Sequence, residues 1–100
     1  MSDLLARLSN MRRANELEVH LDRNTHSDRF RKLFSTKLDM TIKRARFTTR
    51  LVASYMGVKE HEVHFWRAGI TLPGSGQCRR LSRLLRVDVA WLCGTPATAA

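Results

Sequence analysis

Phe47-Thr-Thr-Arg50-Leu-Val-Ala-Ser-Tyr-Met-Gly57-Val-Lys-Glu-His-Glu-Val-His-Phe-Trp66-Arg-Ala-Gly69 carries two short helical patterns on either side of one glycine. In the first, Leu51, Val52, Tyr55 and Met56 recur at helical spacing, with small Ala53 between them. In the second, Val63 and Trp66 are three apart and form one apolar stripe. The Thr48 hydroxyl is placed to accept from a free N–H at the start of the first helix. Gly57 suits the left-handed conformation that ends a helix and turns the chain, and Gly69 can end the second helix in the same way. A large side chain at Ala53 would push the two helices apart, while Val58 and Val63 can fill the angle between them.

Helix, glycine turn, helix is the helix-turn-helix arrangement. Lys59, Glu60, His61, Glu62 and His64 are left on the start and outer face of the second helix, and a major groove accepts such a face. At these residues the chain resembles the lambda-repressor-like family of bacterial and phage regulators, the XRE or Cro-type proteins. The likeness continues through Leu81-Ser-Arg-Leu-Leu-Arg-Val87 and Asp88-Val-Ala-Trp-Leu-Cys-Gly94-Thr95, which look like the family's last two helices. Thr36 to Ala45 looks like its first helix. Roughly 60 of the 100 residues are covered.

The resemblance implies an all-α fold, a bundle of four to five short helices. It implies a sequence-specific regulator of transcription, probing double-stranded DNA with the second helix of the motif. An inverted-repeat operator bound by a homodimer is implied too, and repression is the expected sign because no activation or ligand domain fits in 100 residues. Base contacts would then fall to Lys59, Glu60, His61 and His64, with Thr49 where the family often carries Gln. Lys59 and His61 can donate to guanine, and Glu60 can accept from cytosine N4. Phosphate contacts would come from helix-start N–H groups near Thr48 and from Lys43, Arg46, Arg50, Arg67 and Arg79. Arg67 stands where many relatives carry an acid. Trp66 belongs to the core.

The bulk composition agrees with an anionic partner. Eighteen Lys and Arg against nine Asp and Glu leave a net charge of +9. That excess asks for a polyanion, and nucleic acid is the usual one. Arg23 to Arg50 alone holds nine basic residues and two acids, more than solubility needs. No apolar run has transmembrane length and no secretory leader is recognisable, so the expected site of action is the cytoplasm, without membrane contact. Cys78 and Cys93 make no disulfide framework and are expected to stay reduced and help pack the last helices.

Three units are expected: an extension over residues 1–26, a DNA-binding domain over 27–95 and a loose tail over 96–100. In the extension, Asp3 to about Asn15 has a helical stripe of Leu4, Leu8 and Met11. Glu16 to Asp22 alternates, with Leu17, Val19 and Leu21 pointing one way, which is the period of a half-buried strand. The chain offers that strand no partner, so the candidate pairing is with the same segment of a second subunit. An irregular connector or a continued helix are the alternatives. Leu4, Leu8, Met11, Leu17, Val19 and Leu21 are therefore the candidate dimerisation residues. Farther on, Ser27 reads as the cap of a helix from Asp28, with Phe30, Leu33, Phe34, Leu38 and Ile42 as its stripe. A pause near Ser35-Thr36 would split that helix. Ile70 to Gly76 reads as a loop, Leu81, Leu84 and Leu85 as the next stripe, and Asp88 as the cap of a last helix burying Val89, Trp91 and Leu92.

Other chemistries lack support. His61 and His64 have no second ligand pair at metal-site spacing, so neither metal nor cofactor is implied. There is no Gly-rich phosphate loop, no nucleophile elbow and no carboxylate pair in an apolar setting, so an enzyme is not expected. The rival from another class is an antitoxin-type module that neutralises a protein partner and binds DNA secondarily, using the N-terminal apolar faces to dock. Small size and basic charge suit a phage or plasmid regulator.

Overall fold

The computed structural model describes residues 16–94, all of whose regular structure is helical. Helix α1 covers residues 16–24, followed by α2 (Asp28–Arg44), α3 (Thr49–Met56), α4 (Glu60–Ala68), α5 (Ser75–Leu85) and α6 (Val89–Cys93). One core joins them: Leu17 and Leu21 from α1, Phe34, Leu38 and Ile42 from α2, Val52, Ala53 and Met56 from α3, Val63 and Trp66 from α4, Cys78, Leu81 and Leu85 from α5, and Leu92 and Cys93 from α6.

The strand over 16–22 is not there; the segment is helix α1. Leu17 and Leu21 are 3% and 4% exposed whereas Val19 is 45% exposed. Four residues apart, the two leucines lie one turn above the other on a single helix face, while Val19 is on the far side. A helix also satisfies its own backbone, which a strand without a partner cannot. Of the candidate dimerisation residues, Leu17 and Leu21 are thus spent on the chain's own core and Val19 faces outward. Leu4, Leu8 and Met11 lie outside the described residues. The end of α1 is sealed by side chains: Asn24 Nδ2 donates to the His20 carbonyl at 2.8 Å and Thr25 Oγ1 to the Leu21 carbonyl at 2.9 Å.

Ser27 caps α2, its Oγ accepting from the Phe30 N–H at 3.2 Å. The helix then runs for 17 residues without a break. Ser35 and Thr36 do not interrupt it, and both hydroxyls donate back to the Lys32 carbonyl at 2.8 and 2.9 Å within the helix. Leu33 departs from its expected stripe and is exposed. Trp91 also departs. On the short α6, Leu92 and Cys93 take the inward positions, and the Trp91 ring lies outside with the Lys37 ammonium 5.4 Å from its centroid. Lys37 Nζ further donates to the Trp91 carbonyl at 2.8 Å, tying α6 to α2. Asp88 caps α6 as its sequence suggests, accepting from the Ala90 N–H at 3.2 Å.

Helices α2 to α5 all end in a six-residue Schellman closure with one residue at positive φ. In α3, Gly57 (φ 68°) donates to the Ser54 carbonyl and Val58 to the Ala53 carbonyl at 3.1 Å. In α4, Gly69 (φ 75°) donates to Trp66 and Ile70 to Phe65 at 2.9 Å. The ends of α2 and α5 use Arg46 (φ 60°) and Arg86 (φ 57°) in the same role.

Candidate nucleic-acid interface

Helices α3 and α4 follow one another across a turn at Gly57 and pack against each other. Thr48 Oγ1 accepts from the Leu51 N–H at 3.0 Å and so starts α3. Val52, Ala53 and Met56 face the core from α3, and Val63 and Trp66 face it from α4. Leu51 and Tyr55, although at helical spacing with them, stay exposed. Tyr55 is covered in part by Arg80 of α5, whose guanidinium lies 5.9 Å from the ring centroid and donates to the Tyr55 carbonyl at 3.3 Å.

With Val63 and Trp66 inward, the opposite side of α4 presents Glu60, His61, His64 and Phe65, and Lys59 precedes them as an exposed N-cap without a side-chain cap bond. Lys59, Glu60, His61 and His64 therefore share one surface, and no ion pair among the described residues engages them. The two acids of the first turn have a local cause, since carboxylates near a helix N-terminus are favoured by its positive dipole end. Glu62 is half-buried at the flank, turned partly away from that surface.

Thr49 is not on the open surface. It is half-buried, and its Oγ1 accepts from Arg67 Nη1 at 2.9 Å. The same guanidinium binds Asp39 of α2, with Nε 2.9 Å from Oδ1. Lys43 Nζ lies 2.8 Å from the other carboxylate oxygen. Arg67, only 19% exposed in its side chain, is thus a tie between α2, α3 and α4 rather than one of the outward cations. Asp39 explains how a cation is accommodated where the resemblance places an acid. Hydrogen bonds from Lys43 and then Arg67 hold the Asp39 carboxyl below the ordinary carboxylate range, against a smaller opposing effect of burial. Lys43 keeps most of its side chain in solvent despite this pairing.

Of the other candidate phosphate contacts, Arg46 and Arg50 are exposed and flank the start of α3, Thr48 is exposed, and Arg79 is half-buried on α5. Arg31 adds a second tie, its Nε donating to the Gly69 carbonyl at 3.1 Å to fix the end of α4 on α2.

Phe65 is the residue of this surface that the sequence reading leaves unassigned. It is 40% exposed, and the His61 ring packs edge-on against it with centroids 5.6 Å apart. The signal was present: a residue one position before buried Trp66 is rotated by about 100° round the helix, onto the side of His61 and His64.

No group of three or more His, Cys, Asp or Glu suited to a metal occurs among the described residues. None of their helices is long and apolar enough to cross a membrane. Comparison with known proteins finds no matching protein-family model, no matching curated protein and no matching solved structure.

Proposed function

We propose that the protein is a sequence-specific double-stranded DNA-binding regulator, a repressor that covers an inverted-repeat operator as a homodimer. The observation that carries this reading is the outward side of α4. Lys59, Glu60, His61 and His64 stand together there, exposed and outside the core, along the first turns of a helix whose other side is buried. Donors and acceptors so presented fit the major-groove edges of base pairs. Arg46, Arg50 and Lys43 add cations for phosphate, and the net charge of +9 supplies the long-range attraction. The lambda-repressor-like resemblance points the same way.

Selection from a random duplex pool, with binding of the winner repeated over a range of salt, tests the reading. Enrichment of an inverted repeat supports a dimeric base reader, with half-site spacing near one helical turn. Binding without an enriched sequence overturns it. Glu60→Ala and His61→Ala are expected to relax base preference at separate positions.

A second reading, a protein-docking module of the antitoxin type, is favoured by one surface. Leu33 and Met40 lie seven residues apart on α2, and with Trp91 of α6 they remain exposed on either side of Lys37. Co-purification with a second polypeptide, in place of self-association, would favour it.

A further inference from the structure

The α4 surface contains one side chain whose chemistry differs from that of its neighbours. Phe65 has no polar atom in its side chain, yet it stands among Glu60, His61 and His64 and leaves 40% of its surface in water. Its position is fixed from two sides. Its backbone carbonyl accepts from the Ile70 N–H at 2.9 Å and the Thr71 N–H at 3.5 Å, which locks the last turn of α4. Its ring meets His61, one turn earlier, at an interplanar angle of 64°. An aromatic pair of this kind prefers edge-to-face geometry and restricts both rings.

We infer that Phe65 is a specificity residue that reads the 5-methyl group of a thymine in the major groove. This rests on the DNA-binding reading above and deepens it. The thymine methyl is the apolar feature that a base pair offers in that groove, and a phenyl ring is among the side chains that meet it. A ring so placed would lose its remaining water on contact with a methyl group, which favours that contact. Phe65 follows His61 by one helical turn, so the two side chains would meet neighbouring parts of the groove. His61 acts here also as a positioning residue, holding the phenyl ring against rotation.

The test uses the full chain and the duplex that it enriches from the random pool, with each thymine replaced in turn by deoxyuridine. That exchange deletes one methyl group and keeps every hydrogen-bonding atom. Wild type is expected to lose about fourfold in affinity at one thymine per half-site, the effect of one methyl group's burial. Phe65→Ala should bind the thymine and deoxyuridine duplexes equally, and Phe65→Leu should retain part of the difference. Melting curves establish that both variants fold, and the wild-type comparison stands without either of them. Wild-type affinity indifferent to deoxyuridine at every position overturns the inference while leaving the DNA-binding reading intact. A preference that survives in Phe65→Ala overturns it equally. Failure to enrich any duplex removes the underlying reading and this inference with it.

Discussion

The four Schellman closures of α2 to α5 share a backbone but divide by residue type. The two that end α3 and α4, at Gly57 and Gly69, use glycine; those that end α2 and α5, at Arg46 and Arg86, hold arginine in the same left-handed conformation. That conformation costs an L-residue roughly 1–2 kcal/mol. The glycine sites themselves differ. A Cβ at Gly69 would stand 3.2 Å from Ser35 Oγ and 3.4 Å from the Arg31 carbonyl oxygen, whereas one at Gly57 would meet nothing within 4 Å. Gly69 is needed because α4 ends in contact with α2; Gly57 is needed for its φ alone. At Arg46 and Arg86 the chain accepts the strain and gains an exposed cation.

Substitutions at these ends can break that division. Gly69→Ala combines strain with a crowded Cβ, which presses on Ser35 Oγ and on the backbone carbonyl of Arg31. It is expected to lower stability by about 2–3 kcal/mol, a sum of left-handed strain and overpacking, measured by urea denaturation. Gly57→Ala should lose only about 1 kcal/mol, from strain. An equal loss at both sites would show that the close approach at Gly69 contributes nothing. Arg46→Gly relieves strain but loosens the unfolded chain, and should stay within about 1 kcal/mol of the parent. Its affinity for every duplex should nonetheless fall, with a salt slope shallower by about one. A variant that is more stable and binds DNA unchanged would mean that Arg46 has no role beyond its turn.

The smallest effect concerns the other fastening of α4, through Arg67 and Asp39. The folded-state carboxyl of Asp39 titrates below its ordinary value. Its contribution is therefore fully present above about pH 4, where the unfolded carboxylate is ionised, and is lost as pH falls through the lower folded value. Asp39→Asn should remove that portion of the acid sensitivity. The difference between wild type and variant in urea midpoint should shrink from pH 6 to pH 2. A constant difference across that range would separate Asp39 from acid unfolding.

The legible features were those fixed by neighbours along the chain. Ser27, Thr48 and Asp88 cap the helices they precede, and the glycines end α3 and α4 as their chemistry requires. Val63 and Trp66 turn inward and so define what faces out. Residues 16–22 fit both a strand and a helix, because Leu17 and Leu21 satisfy both periods. They alternate with polar neighbours, and they are also one helical turn apart, so Val19 alone could separate strand from helix. Arg67 could not be assigned from its own surroundings, since its partner Asp39 lies 28 positions earlier. Trp91 and Leu33 follow no local rule either, because exposed apolar side chains are common on folded surfaces. For the candidate DNA-contacting surface, the sequence yielded the polar members and passed over Phe65, whose residue type suggests core.

The two sulfurs between α5 and α6 offer a clock. Cys78 and Cys93 are free thiols with no exposed surface. Cys78 lies 3.8 Å from the Pro73 carbonyl, and hydrogen bonding with Cys93, then burial, raises its pKa far above that of a free thiol. An alkylating reagent meets neither sulfur until α5 or α6 parts from the core around it. The rate at which iodoacetamide labels the native chain would then count those partings directly. Repeating the labelling with DNA bound would tell whether occupying α4 also quiets α5 and α6.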